Sequence, residues 1–187
     1  MHTLKNELLT VTVSDHGAEL QSIRKGETEY LWQGDPAYWG RRSPVLFPIV
    51  GSVWEKRYRV DGKEYELGQH GFARDMDFTL VSASDTEVRY RLESDEETLK
   101  KYPFRFVLEI AYRLHGNCLD VIWEVVNPSD GELYFQIVAH PAFIYPDYSV
   151  ENKERGYLVF DRTEGLECIR IKEPDVLTRL DNRFTKE

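Results

Sequence analysis

Short alternations of apolar and polar residues run through most of the chain. Leu8-Leu9-Thr10-Val11-Thr12-Val13 and the stretches 18–24 and 28–32 alternate in this way, separated by Asp15-His16-Gly17 and Lys25-Gly26-Glu27. Period-two alternation bounded by glycine and aspartate marks half-buried strands joined by tight turns, so the first thirty residues predict a meander. Asp61-Gly62, between the stretches 57–60 and 63–67, predicts a hairpin, because both positions of a type I′ turn need positive φ and this pair supplies it. Residues 77–81 and 87–93 predict a second hairpin around Ala83-Ser84-Asp85. Residues 104–114 and 119–126 predict a longer one around His115-Gly116-Asn117 with buried aromatics on its inner rows. A strand over 132–139 and a last hairpin over 157–161 and 166–171 follow. The exception is Ser94-Asp95-Glu96-Glu97, whose spacing predicts a capping box, with Ser94 and Glu97 as its side chains, opening a short helix through Lys101 that Pro103 closes. About a dozen strands and one helix, well above the usual strand content, give an all-β antiparallel sandwich.

Two stretches break the pattern. Gly34 to Pro44, dense in glycine, proline and aromatics, predicts a long ordered loop. Val45-Leu46-Phe47-Pro48-Ile49-Val50-Gly51 is apolar, but Pro48 has no N–H to give a ladder, so this strand must lie at an edge or be interrupted there.

Composition narrows the partners. The chain has 187 residues, 30% of them charged, and a formal net charge of −9. That length suits a single domain over residues 1–187. The negative field repels phosphate backbones and anionic lipid heads, which argues against nucleic acid or a membrane surface as partner. Cys118 and Cys168 are too few for a disulfide framework or a zinc site, which fits a reducing, cytoplasmic setting. No apolar stretch approaches the ~18 residues of a membrane span.

Two histidines carry the candidate chemistry. In Gln136-Ile137-Val138-Ala139-His140-Pro141-Ala142-Phe143 an apolar run ends on a histidine whose backbone the following proline holds extended. In Gln69-His70-Gly71-Phe72-Ala73-Arg74 a second histidine follows a predicted strand and precedes a glycine that permits a sharp turn. Both are expected at strand ends. Taken singly, each reads as a satisfied polar loop residue; as a pair with fixed flanks they suit proton transfer in one pocket, with Arg74 at its wall. Tyr38 and Trp39 either cap the core or stack on a ligand. Arg41 and Arg42 read as solvated.

These motifs, together with Gly17-Ala18-Glu19-Leu20, Glu29-Tyr30-Leu31-Trp32 and Tyr102-Pro103-Phe104, resemble the aldose 1-epimerase family, specifically its galactose mutarotase-like bacterial branch. The resemblance spans essentially the whole chain. It implies a large β-sandwich, the galactose mutarotase-like supersandwich, with a hexose on its concave face. The implied activity is an isomerase reaction, the cofactor-free and metal-free interconversion of the α and β anomers of an aldose. By motif His140 matches the general acid, His70 the second histidine that hydrogen-bonds the sugar, and Arg74 a residue that binds a hydroxyl or steadies His70.

Departures from the family pattern accompany the matches. Val138 stands where the family has a small residue, often glycine. Family members run on for roughly a hundred residues more, still within the range of one β domain, and that part carries a sugar-binding aspartate and the glutamate base. Glu173-Pro174 resembles the Glu-Pro pair of the base motif, but it comes too early and lacks the following aromatic, so Glu173 is not assigned as base. The expectation is a sandwich without its C-terminal strands, whose exposed edges favour a homodimer. Beside an incomplete mutarotase stand two alternatives, a carbohydrate-binding module lacking the base and a structural or interaction domain.

Overall fold

Where alternation can bury one face, the chain forms strands. In the computed structural model β1 (His2–Lys5), β2 (Thr10–Val13), β3 (Leu20–Lys25) and β4 (Thr28–Glu29) make one antiparallel sheet in that order. After the two-residue strand β5 (Val45–Leu46) comes the hairpin of β6 (Arg57–Val60) and β7 (Lys63–Glu66). β8 (Thr79–Ala83), β9 (Glu87–Glu93), β10 (Val107–His115) and β11 (Cys118–Val126) form a second antiparallel sheet, again in sequence order. β12 (Val138–Ala139) pairs with β5. The chain divides into two compact units, Met1–Asp147 and Tyr148–Glu187. The structure describes residues 1–145, 149 and 151, and the backbone alone of 168–173 and 176–180.

The first unit is a β-sandwich. From the first sheet Leu4, Val11, Val13 and Leu20 turn inward, and from the second Val88, Tyr90, Leu92, Leu108, Ile110 and Tyr112; all join one buried cluster. The period of two is visible in β9, where Val88, Tyr90 and Leu92 are buried while Arg89 and Arg91 face out to Glu109 of β10. The buried Tyr112 hydroxyl donates to the Ala18 carbonyl at 2.8 Å, a cross-sheet bond that satisfies the polar end of a core side chain. Phe47, Phe72, Tyr102 and Phe106 form an aromatic cluster below the loops that carry the histidines, with the Phe47 and Phe106 rings 5.0 Å apart.

Most predicted elements are present. Asp61 and Gly62 have φ of 49° and 77°, as the hairpin turn requires. β5 stops at Leu46, ahead of Pro48. Four expectations are corrected. The helix Glu96–Lys101 is capped by Asp95 and Thr98, not Ser94 and Glu97. The N–H of Thr98 reaches the Asp95 carboxylate at 2.7 Å, leaving the Ser94 hydroxyl to the Phe106 N–H at 3.3 Å. Only Val138–Ala139 of the stretch 132–139 is a strand, because Gln136 gives its N–H to the Pro48 carbonyl outside a regular ladder. β13 (Cys168–Glu173) pairs with β14 (Val176–Leu180); the stretch 157–161, expected to be its partner, lies outside the described residues. His70 lies in a turn beyond β7 with φ of 65°, not at a strand end. Among the described residues no helix is long and apolar enough to cross a membrane.

Candidate active site

His140 follows β12, and its backbone N–H donates to the Pro44 carbonyl at 3.0 Å. The segment after it is held by Trp32, whose N–H reaches the Ala142 carbonyl at 2.8 Å, and by Ala142, whose N–H reaches the Arg42 carbonyl at 2.9 Å. Glu19, from the Gly17-Ala18-Glu19-Leu20 motif, accepts the N–H groups of Arg42 and Ser43 at 2.9 and 2.8 Å. One carboxylate thus fixes the start of the strand beside which His140 emerges.

His70 is placed by a close approach of two backbones. Gly71 forms a parallel bridge with Phe47, whose carbonyl accepts the N–H groups of Phe72 and Ala73. A Cβ on Gly71 would lie 2.3 Å from the Phe47 oxygen, and Gly71 has φ of 71°, so contact and conformation both require glycine. Gly17 plays the same part behind Arg74: a Cβ there would come within 2.8 Å of the Arg74 carbonyl.

The two imidazoles meet. Their ring centroids are 6.5 Å apart, and the Trp39 ring lies 5.3 Å from that of His140. Trp39 is fixed in turn by its carbonyl, which accepts the Trp32 indole N–H at 2.8 Å. The ring contact of Tyr38 is instead an edge-on approach to Trp32 at 6.2 Å, and the residue is 83% exposed. Of the five residues singled out in the sequence, His140 has both the His70 ring and the Trp39 ring beside it. Arg74 stands behind His70, and Tyr38 projects from the same loop as Trp39.

The state of His70 follows from its partners. Gly51 donates its N–H to His70 Nδ1 at 2.9 Å, while the His70 N–H returns to the Gly51 carbonyl at 2.7 Å. Nδ1 is therefore an acceptor, and the proton of the neutral ring sits on Nε2, which is left as a donor. Burial pushes the His70 pKa below the ordinary value, and the charges of Arg74, His140 and Arg41 push it the same way. His70 is built to stay neutral and donate one hydrogen bond.

Arg74 gives one N–H to the Gln69 carbonyl at 3.0 Å, bracing the turn before His70. Its Nε is buried without a hydrogen bond, and the Asp75 carboxylate at 3.5 Å offers charge alone. Asp75 also receives Arg41 at 2.6 Å. Arg41 is thus part of the surroundings of His70, not a freely solvated residue. Arg41, Asp75, Gly51 and Gln136 were missed in the sequence reading because their roles depend on partners tens of residues away. The local signals were Asp75 beside Arg74 and paired arginines in a glycine-rich loop.

Comparison with known proteins adds to this geometry. The aldose 1-epimerase family profile matches residues 1–183. The chromosomal LacX protein of Lactococcus lactis subsp. lactis is 37% identical over 170 residues, covering 87% of this chain and 56% of that protein. Among solved structures, a galactose mutarotase related enzyme from Lactobacillus acidophilus is 43% identical with a TM-score of 0.78, over 82% of this chain and 52% of the other. A galactose mutarotase-like protein from Lactobacillus casei is 39% identical with a TM-score of 0.74, over 76% and 49%. The chain spans about half the length of these relatives. Over that span the sandwich, both histidine motifs and the glycines beneath them sit within a profile match that runs nearly end to end, and the chain belongs to the aldose 1-epimerase family.

Proposed function

We propose that this chain is a mutarotase-like protein that binds an aldose in its pyranose form at His70, His140 and Trp39 and promotes opening of the ring by proton transfer. The observation that carries the reading is the convergence of two imidazoles, one held as an Nε2–H donor, beside an indole. A sugar ring stacks its C–H face on an aromatic surface while its oxygens take hydrogen bonds from neutral donors. His140, more exposed than His70 and without a side-chain hydrogen bond among the described residues, is the general acid that protonates the ring oxygen. His70 donates to the same region of the sugar without changing its own protonation. Arg74 and Arg41 hold this arrangement through Asp75, and Tyr38 borders it. The chemistry needs only a positioned acid and base, so no cofactor or metal is assigned.

The base that takes the proton of the anomeric hydroxyl is not among these groups, because Asp75 is engaged by two arginines. In this reading the base belongs to the part of the relatives' length that the chain does not match. Sugar binding alone, as in a carbohydrate-binding module, is the second reading, favoured by the same commitment of Asp75. Polarimetry of a fresh α-aldose solution, run on this chain and on a version extended to the relatives' full length so that a base is supplied, separates the two. Catalysed mutarotation that His140→Ala lowers by about 10²–10⁴-fold supports proton transfer. Sugar binding with no catalysed rate supports the binding module, and neither signal removes both.

A further inference from the structure

Gln136, four residues before His140, touches the backbone that holds His70. Its own N–H donates to the Pro48 carbonyl at 2.8 Å. Its side-chain Oε1 accepts the Val50 N–H at 2.9 Å. One residue therefore fastens both ends of the stretch 48–50. The next N–H along the chain, that of Gly51, is the one that points at His70 Nδ1. Gly51 has φ of 80° and open space where a Cβ would be, so nothing in its own side-chain volume restrains it. Val50 is exposed and gives no packing hold. The direction of the Gly51 N–H is set from outside: the His70 backbone N–H holds the Gly51 carbonyl on one side, and the Gln136 amide holds the chain on the other, the side that carries the Gly51 N–H.

From this we infer that Gln136 is a positioning residue that fixes the proton of His70 on Nε2, acting through Val50 and Gly51. If the Val50 N–H is released, the Ile49–Val50 peptide can turn, the change passes through the Val50 dihedrals to the Val50–Gly51 peptide, the Gly51 N–H leaves Nδ1, and the ring loses its preference between nitrogens. The same segment carries His140, so one short stretch places the exposed imidazole and dictates which nitrogen of the other bears the proton. The use of this for a sugar rests on the function proposed above; the link between Gln136 and the His70 proton does not.

The test is nitrogen-15 NMR of the imidazoles in the whole chain without sugar, at a pH about one unit above the ordinary histidine value, where neutral forms dominate. The wild type is expected to show His70 as the Nε2–H form. Gln136→Ala is expected to raise the Nδ1–H form roughly fivefold, the change that one ordinary hydrogen bond supports. Gln136→Glu, whose carboxylate still accepts from Val50, is expected to restore the wild-type ratio. Arg74, Arg41 and His140, the charged and titratable groups acting on His70, and Asp75 between the arginines, are untouched by both variants. An unchanged ratio in Gln136→Ala, or equal changes in both variants, would overturn the inference. Should Gln136→Ala not fold, hydrogen exchange on the wild type decides: the Val50 and Gly51 amides must be protected together, and a Val50 amide exchanging like an open loop overturns it. Because no sugar is present, failure of sugar binding leaves this result standing, and an unchanged tautomer beside intact sugar binding removes this inference alone.

Discussion

The interior between the two main sheets and the layer that carries the histidines are held together by different means. In the interior, ladders of adjacent strands and a continuous apolar cluster do the work, and the buried Tyr112 hydroxyl has a single partner. In the histidine layer the regular strands are two residues long. The connections are individual bonds between distant loops: Gly51 with His70, Gln136 with Pro48 and Val50, Pro44 with His140, and Glu19 with Arg42 and Ser43. Burial of area resists small changes in any one contact, whereas a scaffold of single directed bonds can place an imidazole with fixed protonation but fails locally when one bond is lost. The aromatic cluster of Phe47, Phe72, Tyr102 and Phe106 joins the two regions.

Substitutions that act on one region and spare the other test this contrast. The largest effect is expected from Phe106→Ala, which empties the junction and should cost about 3–5 kcal/mol of stability. Both regions should fail together in urea unfolding followed by tryptophan fluorescence and by far-ultraviolet circular dichroism; a surviving histidine layer would show that it does not rest on the cluster. Gly71→Ala comes next, at about 3 kcal/mol, because the new Cβ meets the Phe47 carbonyl and the residue must keep a positive φ. Here the histidine resonances should change while the β signal of the sheets persists. Tyr112→Phe should cost about 1 kcal/mol by leaving the Ala18 carbonyl without its donor. It should not move the resonances of His70 or His140, and a shift there would mean the regions are coupled more tightly than the bonding indicates.

The smallest effect is on pH dependence. His70 has a folded pKa below the ordinary 6.5. The unfolded chain therefore binds the proton more readily, and the contribution of neutral His70 is fully present above pH 6.5 and lost as pH falls from there through the folded value. Denaturation midpoints should decline on acidification across that window, and His70→Gln should flatten the decline. An unaltered slope would show that His70 is not held neutral by its surroundings.

The same contrast explains what could be read from the sequence. The strand 87–93 was legible because it alternates over its whole length, and the β6–β7 hairpin because the turn pair Asp61-Gly62 fixes its ends. His70 and His140 stood out through Gly71 and Pro141, residues whose backbone limits are local. The cap of the helix Glu96–Lys101 was misplaced by a single residue, since Ser94 and Asp95 both satisfy the local rule and only Phe106, twelve residues from Ser94, decides between them. Arg41, Gly51 and Gln136 were not legible as site residues: Gln136 and Val50 are separated by 86 positions, and no local pattern encodes that bond. The placement of Trp39 against His140, with Tyr38 turned outward, depends on the indole of Trp32 in the preceding segment.

The central claim, that His70, His140 and Trp39 form one sugar site, is tested most directly by titrating the isotope-labelled chain with D-galactose while following the two imidazole signals and the Trp39 indole N–H. The account predicts that all three shift along one saturation curve and that His70→Ala weakens the response at His140. A response at one residue alone, or shifts that saturate at different concentrations, would contradict it.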